Sequence, residues 1–157
     1  MRDLIWASML TAQMNVCYWS KLAYRYTERE KWIKIFLAIT SSGTVAGWVV
    51  WTAYPIAWKA LSGLSAITAI VLPILNYSGR AAQMNKAASK SAQLRLGYDQ
   101  LWAQLDSLTP DSLKEMLAEL NKKEIELSEL QVSDPDDRTL LARCQDDVLR
   151  SRGLPGD

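Results

Sequence analysis

Histidine is absent from this chain of 157 residues, and cysteine occurs only twice, at Cys17 and Cys144. Without histidine the chain lacks the commonest general base and the commonest metal ligand. Two cysteines at unrelated spacing form neither a metal motif nor a disulfide framework, so we expect both to be reduced, buried apolar residues. The sequence also has no glycine-rich phosphate loop and no nucleophile elbow. We therefore expect no enzyme, no cofactor and no metal site.

Charged residues are missing from two long apolar segments, residues 35–58 and 60–79, which only Lys59 separates. A helix needs roughly 20 apolar residues to cross a bilayer, whereas apolar runs in soluble core helices are roughly 10–14 residues long. The two segments therefore predict a transmembrane hairpin with spans at about 35–55 and 60–79. Because neither span contains an ionisable residue, a proton relay, a voltage sensor and a coupled transporter are excluded.

Cations are concentrated on one side of the predicted hairpin. Only Lys59 lies on the other side, and nine cations within about twenty residues of the spans lie on the side that carries both termini. These nine are Lys21, Arg25, Arg29, Lys31, Lys34, Arg80, Lys86, Lys90 and Arg95. Because cytoplasmic loops carry an excess of Lys and Arg, the count predicts a multi-pass protein with both termini in the cytoplasm.

Glycine and proline are absent from Met1 to Ser42, and outside the spans apolar residues recur with period 3.5. One such seam contains Ile5, Met9, Ala12, Val16, Trp19, Ala23 and Tyr26. The second contains Met84, Ala87, Ser91, Leu94, Tyr98, Leu101, Leu105 and Leu108. The seams predict an antiparallel helical stalk in the cytoplasm, continuous with the hairpin, with Gly79 and Gly97 as weak points.

Capping signals in the sequence predict two further cytoplasmic helices. Thr109-Pro110-Asp111 combines a capping hydroxyl, a proline at the first helical position and an early acid. Residues 133–137 repeat this combination and predict a last helix over Pro135–Arg152 that ends at Gly153. No strand pattern occurs, so we predict an all-α membrane protein. Its parts are an N-terminal helix (1–34), the hairpin (35–79), the stalk helices (80–131) and a C-terminal helix with a tail (132–157).

Small and polar residues inside the spans are the candidate functional positions. Gly43 and Gly47 form a G-x-x-x-G step that permits close helix packing. The candidate pore-lining residues are Thr40, Thr44, Ser65, Thr68 and Asn76. The alternative is tight packing, in which the hydroxyl groups bond back to helix carbonyls. Two spans cannot enclose a pore, so conduction requires a homo-oligomer, and a tetramer with eight spans is the favoured form.

The juxtamembrane cations Arg80, Lys86, Lys90 and Arg95 are candidates for binding a ligand or a partner. They could hold an anionic nucleotide or oligonucleotide. The positive-inside rule alone also accounts for cations at these positions. Between the N-terminal helix and the first span, the run Tyr24–Lys34 mixes aromatic rings with cations, which is typical of a membrane–water boundary.

The layout resembles the SLATT family of two-transmembrane bacterial effectors, found beside nucleotidyltransferases or nucleotide sensors in anti-phage defence operons. The resemblance covers roughly residues 10–130 and lies in the architecture and in the run Tyr24–Lys34, which leads into Thr40-Ser41-Ser42-Gly43. It implies a pore or ion channel in the bacterial inner membrane that depolarises the cell. A nucleotidyltransferase-like regulator or its nucleotide product would control opening. A non-conducting membrane adaptor and an unregulated holin-like toxin are the alternatives.

Overall fold

A computed structural model describes residues 2–46, 55–130 and 137–154, and all regular structure in them is helical. The helices in these ranges are α1 (Arg2–Ala46), α2 (Pro55–Leu75), α3 (Tyr77–Gln104), α4 (Pro110–Ser128) and α5 (Arg138–Ser151). Since no strand occurs within the described ranges, the prediction of an all-α chain is confirmed there.

The chain divides into two compact units. Unit 1 comprises Met1–Ala23 and Ala82–Asp157, and unit 2 comprises Tyr24–Ala81. The boundaries between the units fall inside α1 and inside α3, so neither boundary coincides with the end of a helix.

The core of unit 1 combines residues of both predicted heptad seams with a leucine of α4. Its buried cluster takes residues from α1, α3 and α4, which are Ile5, Met9, Ala12, Leu94, Tyr98, Leu101 and Leu120. The rings of Trp6 and Trp102 lie 5.3 Å apart, and Arg2 forms an ion pair with Asp106. Residues early in α1 thus contact residues at and just after the end of α3.

Helix α4 begins where the capping signal predicts. The Thr109 side chain accepts a hydrogen bond from the Ser112 backbone N–H at 3.3 Å, and Pro110 is the first helical residue. Helix α4 then approaches α3 closely at Gly97, where a Cβ atom would lie 2.5 Å from Cδ2 of Leu120. Gly97, predicted as a weak point of the helix, therefore makes room for a buried leucine.

Helix α5 begins three residues later than the predicted Pro135. Asp137 is the N-cap, and its carboxylate accepts a hydrogen bond from the Leu140 backbone N–H at 3.0 Å. Pro135 lies outside the described residues. At the other end Gly153 has a φ of +69°, so the prediction that it ends the helix is confirmed. The face that α5 buries carries Leu140, Cys144 and Val148.

The predicted spans have different boundaries in the structure. Lys59, expected between the spans, lies inside α2, because Pro55 is suited to the first position of a helix and starts α2 before it. Helix α2 ends at Leu75, and Asn76 has a φ of +44°. The predicted span over 60–79 is therefore interrupted by a junction, and α3 begins directly after it.

Candidate functional site

An exposed apolar face on α2 is the most distinctive feature of unit 2. Isoleucines at helical spacing point away from the rest of the chain, with Ile56 82% exposed and Ile74 74% exposed. Within the described residues one helical run, Lys59–Gln104, contains a window of 18 residues apolar enough to cross a membrane. Its mean hydropathy is 1.6, and none of it is buried. A core helix of a soluble protein would pass the same length test, but it would be mostly buried.

The first predicted span is described only in part. Residues 35–46 form the last turns of α1, while Gly47 lies outside the described residues. Gly43 and Thr44 belong to α1, but the structure does not describe the contacts of the Thr44 side chain. The predicted G-x-x-x-G contact and the lining role of Thr44 therefore stay predictions.

Two of the predicted lining residues contact each other. The hydroxyl oxygens of Thr40 on α1 and Ser65 on α2 are 2.6 Å apart. The Thr40 hydroxyl also lies 3.0 Å from the Phe36 carbonyl oxygen in its own helix, and Thr40 is 8% exposed. A hydroxyl group can donate one bond and accept another, so Ser65 can donate to Thr40 while Thr40 donates to Phe36. This pair joins α1 to α2 inside a single chain.

The other two candidates are bonded within the chain. Thr68 donates a hydrogen bond to the Leu64 carbonyl oxygen at 2.7 Å, the pattern in which a threonine satisfies its hydroxyl on its own helix. The Asn76 side chain accepts from the Gly79 backbone N–H at 3.2 Å, and its carbonyl accepts from the Arg80 backbone N–H at 3.0 Å. Asn76 therefore caps α3 as well as ending α2.

Aromatic rings and charges surround this junction within unit 2. Tyr26 of α1 and Tyr77 of α3 have ring centroids 5.7 Å apart, and the Arg29 guanidinium lies 5.9 Å from the Tyr26 ring. Lys34 pairs with Glu30 at 2.7 Å, and Trp32 is exposed. Rings and cations at the end of an apolar helix are what a membrane interface requires.

The four juxtamembrane cations have different surroundings. Lys90 pairs with Glu126 of α4 at 3.3 Å, and Arg95 lies 3.6 Å from Asp99 one turn further along α3. Arg80 and Lys86 are exposed. Lys90 therefore links α3 to α4 and Arg95 pairs within α3, which leaves Lys86 as the more accessible cation of unit 1 in this set.

An open cleft of about 570 Å³ lies in unit 1 between α1 and the end of α4. Thr11, Asn15, Trp19 and Glu124 contribute polar groups to its lining. Tyr98 donates a hydrogen bond to Glu124 at 2.8 Å, and burial raises the pKa of the Tyr98 phenol to about 12. Sequence spacing could not show this cleft, because its residues come from separate helices.

The two cysteines, which are distant in the sequence, lie side by side in unit 1. The Sγ atoms of Cys17 on α1 and Cys144 on α5 are 2.8 Å apart, and both are free thiols. Beside them Lys21 pairs with Asp147 at 2.5 Å. This hydrogen bond raises the pKa of Lys21 and lowers that of Asp147. Both cysteines are free, as expected, and Cys144 is buried. Their spacing did not show that they meet, because only the docking of α5 on α1 brings together residues 127 positions apart.

Within the described residues no group of three or more His, Cys, Asp or Glu side chains is placed to hold a metal ion. Comparison with protein-family models, with curated proteins and with solved structures finds no match to this chain.

Proposed function

We propose that this chain inserts into the bacterial inner membrane and assembles there into a homo-oligomeric pore or ion channel. The observation that carries the proposal is the exposed apolar face of α2, of which Ile56 and Ile74 are the most exposed isoleucines. Leaving such a face in water costs roughly 25 cal/mol per Å² of apolar area, and lipid removes that cost. No catalytic step is part of the proposal.

The proposed topology is a hairpin with both termini in the cytoplasm. The end of α1 and residues 60–75 of α2 are the two spans, and the cation excess on one side of them supports this orientation. The contact between Tyr26 and Tyr77 supports a membrane interface at this end of the hairpin, because aromatic rings are enriched at membrane–water boundaries. In this arrangement the paired parts of α1 and α3 in unit 1 form the cytoplasmic stalk.

Conduction requires several copies of the chain, since two spans do not enclose a pore. A Cβ atom added to Gly63 would meet nothing within 4 Å. Helix α2 therefore offers an open surface at Gly63 for contact between copies. Ser62, Ala66 and Ala69 are exposed nearby on the same helix. Small residues on a membrane helix let another helix approach closely, which supports assembly, with a tetramer as the favoured form.

The proposed biological role is depolarisation of an infected cell in anti-phage defence, as the resemblance to SLATT-family effectors implies. A nucleotidyltransferase-like partner or its nucleotide product would control opening. Lys86, which is exposed in unit 1, is the proposed contact for such an anionic ligand or its partner.

A non-conducting membrane adaptor is the second candidate function, and one observation favours it. The hydroxyls of Thr40, Ser65 and Thr68 are all bonded within the chain, as they would be in a helix pair that only packs. In that case the acidic helices distal to the membrane would dock a basic cytoplasmic protein.

Ion flux through the purified full-length protein separates the two functions. Proteoliposomes loaded with K⁺ and placed in K⁺-free buffer should release K⁺ and change the signal of a voltage-sensitive dye if the protein conducts. Ser65→Leu should change the flux by about tenfold, because it removes a hydroxyl and adds bulk where the pore is proposed. Ile70→Leu is the matched control, because this exposed position stays apolar and should leave the flux unchanged.

Membrane extraction and ion flux together separate a channel from an adaptor and test membrane insertion. A protein that remains in the membrane fraction after carbonate extraction, but passes no ions with or without nucleotides, would be an adaptor and not a channel. A protein that leaves the membrane fraction in carbonate would contradict membrane insertion itself.

A further inference from the structure

The close pair of thiols in unit 1 has no part in the proposed function. Cys17 and Cys144 have Sγ atoms 2.8 Å apart, and a shift of under about 1 Å would bring them to the S–S bond length of about 2.05 Å. They belong to helices that are distant in sequence, α1 and α5, so a bond between them would connect two elements of the fold covalently.

The two thiols differ in access to solvent. Cys144 is completely buried, whereas Cys17 is half-buried. Burial and, to a smaller extent, the hydrogen bond with Cys17 raise the pKa of the Cys144 thiol to about 12. Cys17 is therefore the thiol that a reagent in solution reaches first, and Cys144 is placed behind it.

We infer that Cys17 and Cys144 form an oxidisable dithiol whose oxidant is a peroxide. Cys17 loses its proton, and its thiolate attacks one peroxide oxygen so that the O–O bond breaks and Cys17 becomes a sulfenic acid. The hydroxide that leaves takes up the proton from Cys17 and becomes the first water. The Cys144 sulfur then attacks the Cys17 sulfur and displaces hydroxide, which takes the Cys144 proton and leaves as water. In total two thiols lose two electrons, and one hydrogen peroxide is reduced to two waters.

The disulfide would fasten α5 to α1. In the reduced chain α5 is held there by the buried side chains of its inner face and by polar contacts. Lys21 pairs with Asp147, Arg152 donates to Gln13 at 3.0 Å, and the Asp137 backbone N–H donates to the Tyr18 hydroxyl at 3.3 Å. A covalent bond at the centre of this interface would keep α5 docked when these contacts open transiently.

The experiment uses the full-length protein, in native membranes or detergent, treated with hydrogen peroxide. Remaining thiols are then labelled in denaturant with a maleimide of high molar mass. Wild-type protein should lose both labels without forming crosslinked dimers, and dithiothreitol should restore both. Trypsin should release the peptide Asp3–Lys21 joined to Cys144–Arg150, two hydrogens lighter than the sum of the two peptides.

The variants Cys17→Ser and Cys144→Ser provide the matched controls, because each retains one thiol and cannot form the internal bond. Amide hydrogen exchange gives a second readout. Residues 138–151 should exchange at least about tenfold more slowly in oxidised wild-type protein, with no such change in either variant.

Retention of both labels in wild-type protein at an excess of peroxide would overturn the inference. Disulfides found only between chains would also overturn it. Neither result depends on whether the protein conducts ions, so the thiol pair and the proposed function are tested separately.

Discussion

Among single side chains, Tyr98 has the clearest consequence for pH dependence. It is buried in the core of unit 1 and donates a hydrogen bond to Glu124. Because its pKa is raised from 10.0 to about 12, the unfolded chain loses this proton at a lower pH than the folded chain. The contribution of the neutral phenol to stability is therefore fully present below pH 10 and is lost as pH rises to about 12.

Absorbance of tyrosinate at about 295 nm measures this titration directly. The difference between wild-type protein and Tyr98→Phe should be a single group that titrates near pH 12. Glu124→Gln keeps an acceptor but removes the negative charge, and it should lower the pKa of Tyr98. A difference curve centred near pH 10 would show that Tyr98 is not buried as described.

Among the helices, the junction between α2 and α3 depends on Asn76. Its φ of +44° is a conformation that asparagine and glycine tolerate better than other residues, and its side chain caps α3 through Gly79. In Asn76→Ala the side chain can no longer cap α3, and alanine is strained at a positive φ. The free energy of unfolding should therefore fall by about 1–3 kcal/mol. Thermal unfolding in detergent, followed by circular dichroism, measures this.

Asn76→Gly is the matched control, because it accepts the positive φ and lacks only the capping group. It should lower the free energy of unfolding by less than Asn76→Ala does. Equal destabilisation by both variants would mean that the cap, and not the backbone conformation, makes asparagine necessary here.

For the whole chain, the proposed topology predicts which positions face each side of the membrane. Lys59 on α2 and Asp111 on α4 are both exposed, and the topology puts them on opposite sides. In a background without the native cysteines, an impermeant maleimide added to intact spheroplasts should label Lys59→Cys. It should label Asp111→Cys only after permeabilisation. Labelling of both from outside would contradict a cytoplasmic C-terminal part.

Spacing in the sequence predicted the helical core well, because a period of 3.5 depends only on neighbouring turns of one helix. Ile5, Met9 and Tyr98 were selected in this way and are buried. The start of α4 was predicted equally well, since a cap depends on residues three positions apart.

The junction at Asn76 and the thiol pair were not predicted, for different physical reasons. At Asn76 the uncharged run continues past the helix end, so composition predicts a longer span than the backbone forms. Cys17 and Cys144 meet only through the docking of α5, which no local pattern encodes. The lining role of Thr40 and Ser65 was predicted from residue type alone, and the structure adds that they contact each other.

That contact has a consequence for the order of assembly in the proposed membrane hairpin. Thr40 and Thr68 each reach a carbonyl of their own helix, so both hydroxyls can enter lipid before the helices meet. The bond between Thr40 and Ser65 can form only afterwards, when α1 and α2 lie side by side. Insertion would therefore come first, and this hydroxyl pair would then set the vertical register in which the two inserted helices close.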